Sequence, residues 1–149
     1  MARYAANGLA TASATKAILG WNATATLPRR GKLYDLLLGS EAAPADNAFG
    51  WDVFLTTTSG VGTAIIPRPL DVADAASVFA AYSSYSTSTS QCSVSFLHIA
   101  LNQRASFRWV AAPGSELVFP AVTANGHNVC TTIATAGVNV NAAALIEEQ

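Results

Sequence analysis

The chain has 149 residues, a formal net charge of −1 and only 11% charged side chains, against roughly 25% in an ordinary soluble domain. Its pI of about 6.0 gives no electrostatic footprint for nucleic acid. Its apolar stretches are interrupted well before the roughly 20 residues that a membrane span needs. These features exclude nucleic-acid binding and membrane insertion as expected functions.

The low charge also predicts how the surface behaves. Ala, Ser and Thr together supply 57 of the 149 residues. Most surface side chains are therefore expected to be small and uncharged, so that neighbouring molecules repel one another only weakly. A net charge near zero favours association over dispersal. The N-terminus lacks the continuous apolar core of a signal peptide. We therefore expect a protein that is made in the cytosol and packs there against copies of itself or a larger assembly.

The first elements read as an arm followed by strands. Residues 1–16 show no hydrophobic period, which predicts an extended N-terminal arm that is ordered by another subunit, ahead of one β-domain over residues 17–149. Ala17 to Leu27 reads as a strand that is closed by a Pro-Arg-Arg-Gly turn. Lys32 to Leu38 is short enough for a buried strand, and Trp51 to Thr58 is rich in aromatic and β-branched residues.

The middle of the chain is less regular. Val61 to Pro67 reads as a short strand away from the sheet centre, because of its prolines. Asp71 to Tyr82 is the one segment with helical character, with Asp71 as a possible cap. A short helix and a non-helical segment remain equally open there. Ser83 to Gln91 is of low complexity and predicts a mobile loop.

The second half is more clearly β. Ala105 to Val110 places Phe107 and Trp109 on one face, and Pro113-Gly114 fits a type II turn, so we expect a hairpin over residues 105–119. Asn125-Gly126 is a further turn signal. Strands are also expected in three segments: Ser93 to Leu101, Val129 to Ile133, and Val138 to Ile146.

About eight or nine strands at short spacing predict the fold class. The expected class is mainly β: an antiparallel β-sandwich or jelly-roll-like domain, or a small barrel, with an extended N-terminal arm and at most one short helix. No internal repeat of fixed period indicates a propeller or solenoid.

The sequence shows no constellation that points to catalysis or metal binding. There is no G-x-S-x-G motif, and the nine acidic residues are scattered. We expect a buried, hydrogen-bonded His98 and a solvated His127, with no third ligand to complete a metal site. Cys92 and Cys130 would pair if their strands were neighbours, but a reducing compartment favours free, buried thiols. We therefore expect no enzyme activity, no cofactor and no metal.

Interface chemistry suggests a set of candidate subunit contacts. Trp and Arg are enriched at protein interfaces, and aromatics interleaved with arginines could also stack on a ligand. The favoured interpretation is nevertheless that the tryptophans lie in the core and the arginines pair with carboxylates such as Glu116, with one tryptophan open as a subunit anchor. The candidate contacts are Arg3, Tyr4, Trp21, Arg104 and Arg108.

Several segments together carry a resemblance to a known class of protein. They are MARYAANG at the N-terminus, GSEAAPADNAFGW (Gly39–Trp51), PRPLD (Pro67–Asp71) and LNQRASFRWVAAPGSELVFPA (Leu101–Ala121). The chain resembles the head decoration or cement proteins of tailed bacteriophages, most specifically over Asn102–Pro120. It departs from them in residues 83–92 and 127–141.

The resemblance implies a function. It implies a structural virion protein that binds the outer surface of the major capsid protein lattice and bridges capsomers, as a dimer or trimer, after assembly in the host cytoplasm. Broad, weakly charged contacts repeated by symmetry suit that role. The alternative is a tail, fibre or baseplate β-domain that binds a host receptor or glycan through an aromatic patch or polar groove.

Overall fold

The structure is a computed structural model that describes residues 1–86, 95–132 and 138–149. These residues form twelve β-strands and no helix, which confirms the expected mainly β class. No helix in the described ranges is long and apolar enough to cross a membrane. The strands are β1 (Ala2–Thr11), β2 (Leu19–Asn22), β3 (Gly31–Ala42), β4 (Ala48–Thr56), β5 (Thr63–Ile65), β6 (Arg68–Pro69), β7 (Ala80–Ser83), β8 (Ser95–Asn102), β9 (Phe107–Val110), β10 (Leu117–Phe119), β11 (Gly126–Thr131) and β12 (Asn139–Glu148).

The strands form two antiparallel sheets that share a core. Sheet A has the order β10–β3–β12–β1–β6, with β9 also paired to β3, and sheet B has the order β5–β7–β2–β11–β4–β8. One buried cluster takes Tyr4, Leu33 and Ile146 from sheet A and Trp21 and Trp51 from sheet B. The expected antiparallel sandwich-like architecture is therefore confirmed.

Alternation along the strands explains which side chains enter the core. In β12, Val140, Ala142, Ala144 and Ile146 are fully buried, while the residues between them are partly exposed as far as Leu145. Successive side chains of a strand point to opposite faces of the sheet. Burial of one side of each sheet against the other supplies the main stabilising force of such a fold.

The N-terminal segment is not the arm that the sequence predicts. Residues 2–11 form β1 and pair with β12 along its whole length, from Ala2 opposite Glu148 to Thr11 opposite Asn139. The hydrophobic period is hidden because the inward residues are mostly small. A side chain at Gly8 would lie 2.7 Å from the carbonyl oxygen of Ile18, so the two sheets approach too closely there for a larger residue.

The predicted hairpin over residues 105–119 is also wrong. Both β9 and β10 pair antiparallel with β3, one after the other, so they run in the same direction along one edge. The expected turn is nevertheless present: Gly114 has φ +86°, and the amide of Ser115 donates to the carbonyl of Ala112 at 2.8 Å. The turn belongs to a loop between two collinear strands, because β3 is long enough to pair with both.

The segment with helical character forms no helix. Asp71 instead closes a single turn, in which its carboxylate accepts from the amide of Ala73 at 2.9 Å. The hydroxyl of Tyr4 donates to the carbonyl of Ala75 at 3.0 Å, so a tertiary contact takes a backbone group that a helix would use. Val72, which would share the apolar face of such a helix with Phe79, is 96% exposed.

Two other expectations have different outcomes. The turn near Asn125-Gly126 falls two positions earlier, on Thr123 and Ala124, since the amide of Asn125 donates to the carbonyl of Val122 and Gly126 already begins β11. Most of the predicted loop over Ser83 to Gln91 lies outside the described residues, as does Ile133.

Candidate functional site

Sheet A presents one broad face to solvent. In β1 the core residues Tyr4 and Ala6 point inward, so the residues between them point outward. The pairing register extends this alternation across the neighbouring strands. We call this surface the outer face. It consists of Arg3, Ala5, Asn7 and Leu9 of β1, Asn141, Ala143, Leu145 and Glu147 of β12, Lys32, Asp35 and Leu37 of β3, and Arg108 and Val110 of β9.

Glu147 lies between two cations at one end of the outer face. Its carboxylate is 3.4 Å from Nε of Arg3 and 3.5 Å from Nζ of Lys32, and its side chain is only 10% exposed. The guanidinium of Arg3 also lies 5.4 Å from the centre of the Tyr34 ring, within the range of a cation–π contact. The charges at this end therefore face one another across strands rather than pointing freely into solvent.

Asp35 and Arg108 form a second internal pair. Nε of Arg108 lies 3.0 Å from Oδ1 and 3.1 Å from Oδ2 of Asp35, and Nη2 also donates to Oδ2. Asp35 is flanked by Leu145 and Val110 on the adjacent strands, which removes its carboxylate from water. The hydrogen bonds to Asp35 raise the pKa of Arg108 above its ordinary value, so the guanidinium keeps its charge.

Exposed aliphatic side chains share the outer face with these pairs. Leu9, Leu37 and Val110 are 45%, 42% and 57% exposed. A shallow depression of about 330 Å³ runs beside Leu37 and is bordered by Glu41 and Asn141, and Asn141 donates to Glu41 at 2.9 Å. The outer face is therefore a β-surface that combines internally paired charges with apolar side chains, which is chemistry suited to contact with another protein.

The structure separates the predicted subunit contacts into three groups. Arg3 and Arg108 lie on the outer face. Tyr4 and Trp21 are 1% and 0% exposed and belong to the core, so their contacts are made within the chain. Arg104 lies in the turn between β8 and β9, where its amide donates to Asn102 and its Nε lies 3.5 Å from the carbonyl of Pro44.

Sequence reasoning missed several residues of the outer face. Asp35 and Leu37 lie within a continuous apolar run, KLYDLLL, that reads as uniformly buried. The usable signal was alternation: Leu36 and Leu38 are in the core, so Leu37 must point outward. The role of Glu147 was not accessible in this way, because its two partners lie on other strands.

The two histidines have the reverse of their expected environments. The His98 side chain is 54% exposed, and its Nδ1 lies 2.9 Å from Oδ1 of Asp52, because β8 is an edge strand. His127 is fully buried among Trp21, Phe96 and Phe119, and neither ring nitrogen has a hydrogen-bond partner among the described residues. Burial lowers the pKa of His127 to about 4.

The expectation of free thiols is wrong for Cys130. Cys130 is 1% exposed and disulfide-bonded. Cys92 lies outside the described residues. Within residues 1–86, 95–132 and 138–149, no group of three or more His, Cys, Asp or Glu side chains is arranged to hold a metal ion.

Comparison with known proteins adds no relative. No family model matches the sequence, and no curated protein matches it at a significant level. Functional inference therefore depends on the chain's own residues.

Proposed function

We propose that this protein is a structural virion protein that decorates a capsid. In this proposal the outer face of sheet A binds the outer surface of the major capsid protein lattice and stabilises it by bridging capsomers. The observation that carries the proposal is the outer face itself, where charges are paired within the sheet and leucines and a valine remain exposed. The protein acts by binding alone, on the capsid exterior after assembly in the host cytoplasm.

The paired charges support binding because they reduce its cost. Burying an unpaired charge in an interface carries a large desolvation penalty. Asp35 already has its partner in Arg108, and Glu147 lies between Arg3 and Lys32. A neighbouring protein can cover the carboxylates of Asp35 and Glu147 without supplying a cation for either, so the exposed Leu9, Leu37 and Val110 contribute their apolar area directly.

Repetition on a lattice supports the same role. A single contact of this kind is expected to be weak, because much of the outer face is Ala and Asn. Many copies bound by symmetry sum to a large stabilisation. A protein that binds only the assembled lattice shifts the equilibrium toward that state by mass action.

The test is binding to phage shells that lack the protein. We expect saturation at a fixed copy number and a higher temperature of shell disruption. Leu37→Glu should weaken binding at least tenfold, because it replaces exposed apolar area on the outer face with a charge that the partner must desolvate. The matched control is Leu27→Glu in the loop between β2 and β3, since Leu27 is 47% exposed and Leu37 is 42% exposed.

Two outcomes would contradict the proposal. Equal binding by both variants would remove the outer face as the docking surface. A protein that ignores shells but binds host cells or glycans would support the alternative role as a tail, fibre or baseplate domain.

A further inference from the structure

The four sheet edges of the sandwich differ in how far they are protected from pairing with a strand of another chain. On one side, β5 has three residues and β6 has two, and Pro69 ends β6. Ile66 and Pro67 connect these two edges directly. On the other side, the edge made by β9 and β10 is interrupted by the loop that contains Pro113. Short strands, prolines and interruptions are the usual devices that prevent a sheet edge from pairing with another chain.

The fourth edge, β8, is neither short nor broken by proline, and its register shift against β4 falls at its first residues, before Leu97. It runs for eight residues from Ser95 to Asn102 without Pro, Lys, Arg, Asp or Glu. One of its edges pairs with β4, and no described strand pairs with the other. A long, uncharged edge of this kind offers a row of backbone donors and acceptors to an incoming strand.

The side chains of β8 have a twofold pattern. Leu97, Ile99 and Leu101 lie opposite Val53, Trp51 and Phe49, and all three pack against the core while remaining partly exposed. The order Leu-x-Ile-x-Leu is the same in both directions about Ile99. An antiparallel copy of β8 centred on Ile99 would therefore place Ile99 against its own equivalent, and each Leu97 against a Leu101.

The other face of β8 is compatible with the same register. His98 would lie opposite an Ala100 of the second copy, so no two charged groups are placed directly opposite each other. Like charges at such positions are destabilising, and apolar pairs are stabilising. His98 already hydrogen-bonds Asp52 within its own chain, so it needs no partner from the second copy.

From these observations we propose that two copies of the chain dimerise by antiparallel pairing of β8 with β8, centred on Ile99. The two B sheets then form one continuous twelve-stranded sheet across the dimer. The twofold axis is perpendicular to that sheet, so both A sheets lie on the same side of it. Both outer faces then point in one direction.

This arrangement has a consequence for capsid binding that depends on the proposed function. Two outer faces on the same side would allow one dimer to engage two sites on a lattice. The second contact becomes intramolecular, which raises the avidity without any new chemistry. The dimer itself does not depend on capsids and forms in their absence.

The first experiment measures mass in solution. Sedimentation equilibrium of the full chain at about 100 μM should give the mass of a dimer. This concentration is chosen because modest interfaces usually have dissociation constants in or below that range. Ile99→Lys should shift the protein to monomer, since it places two cations face to face. Ile66→Lys is the matched control, because Ile66 is 72% exposed on the opposite side of the sandwich and should leave the dimer intact.

A second experiment tests the register and remains informative if Ile99→Lys fails to fold. Directly opposite residues of antiparallel strands have Cβ atoms about 4.5–5.5 Å apart, so Ile99→Cys should give a covalent dimer under mild oxidation. In Leu101→Cys the two cysteines would lie about 13 Å apart along the strands and should remain unlinked. Equal cross-linking of the two variants would overturn the register.

Other outcomes separate this proposal from the capsid role. A monomeric wild-type chain, or a folded Ile99→Lys variant that remains dimeric, would overturn the β8 dimer. Dissociation by Leu37→Glu in the absence of shells would place the dimer contact on the outer face instead, and would also overturn it. A β8 dimer that ignores shells would sustain this inference and contradict the proposed function.

Discussion

The guanidinium of Arg108 covers the carboxylate of Asp35, with Nε 3.0 and 3.1 Å from its two oxygens. Asp35 is 2% exposed even though it faces away from the core. The buried member of the pair therefore depends on an exposed one. This relationship makes the outer face locally neutral and predicts how it responds to mutation.

Arg108→Ala should destabilise the fold by leaving the buried Asp35 carboxylate without a counter-charge. The matched control is Arg104→Ala, because within the described residues the Arg104 side chain makes one hydrogen bond, at 3.5 Å, to the backbone carbonyl of Pro44. Thermal unfolding should show a clearly lower midpoint temperature for Arg108→Ala and little change in that temperature for Arg104→Ala. Adding Asp35→Asn to Arg108→Ala should restore part of the loss; no restoration would show that packing, not charge, is responsible.

His127 predicts a dependence of stability on pH. Its folded-state pKa is lowered to about 4, below an unfolded value near 6.5, so the unfolded chain binds more protons between these values. Its contribution is fully present above pH 6.5 and is lost as the pH falls toward 4. The total loss is about 3 kcal/mol.

Urea unfolding at several pH values measures this effect. His127→Leu should flatten the difference in unfolding free energy between pH 7 and pH 4.5 relative to the wild type, because Leu cannot titrate. An unchanged slope in this variant would assign the acid sensitivity to another group.

Gly8→Ala should be destabilising because the two sheets meet closely at β1. The added Cβ would lie 2.7 Å from the Ile18 carbonyl oxygen and 2.9 Å from Cβ of Leu19. Overpacking of this kind costs about 1–3 kcal/mol. Gly39→Ala is the control, since its Cβ would meet only Ser106 Cβ at 3.8 Å. Equal unfolding free energies for the two variants would contradict the close approach.

Deleting residues 1–11 should prevent folding, because β1 lies between β12 and β6. The deletion removes Tyr4 and Ala6 from the core. It also exposes, along its full length, the edge of β12 that pairs with β1. Circular dichroism and limited proteolysis should report an unfolded or aggregated chain. A truncated protein with native-like protease resistance would restore the interpretation of this segment as a dispensable arm.

The sequence by itself determined the strand-forming character and the neutral surface. Alternation in β12 identifies the buried side of that strand, and Pro113-Gly114 identifies the turn between β9 and β10. Both signals are local, because they depend only on side-chain direction and backbone freedom. The low content of charged residues likewise requires no structure. These features were sufficient to predict a mainly β, antiparallel domain, with a sandwich, a jelly roll and a small barrel all open.

Only the tertiary structure decided which strands are neighbours, and the missed features follow from that. Ala2 pairs with Glu148 across nearly the whole chain, which no local period can indicate, so β1 read as an arm. The direction of β10 and the burial of His127 also depend on distant partners. The two-residue alternation along a strand indicates which side chains share a face of the sheet. What lies opposite that face is determined by the packing of the two sheets.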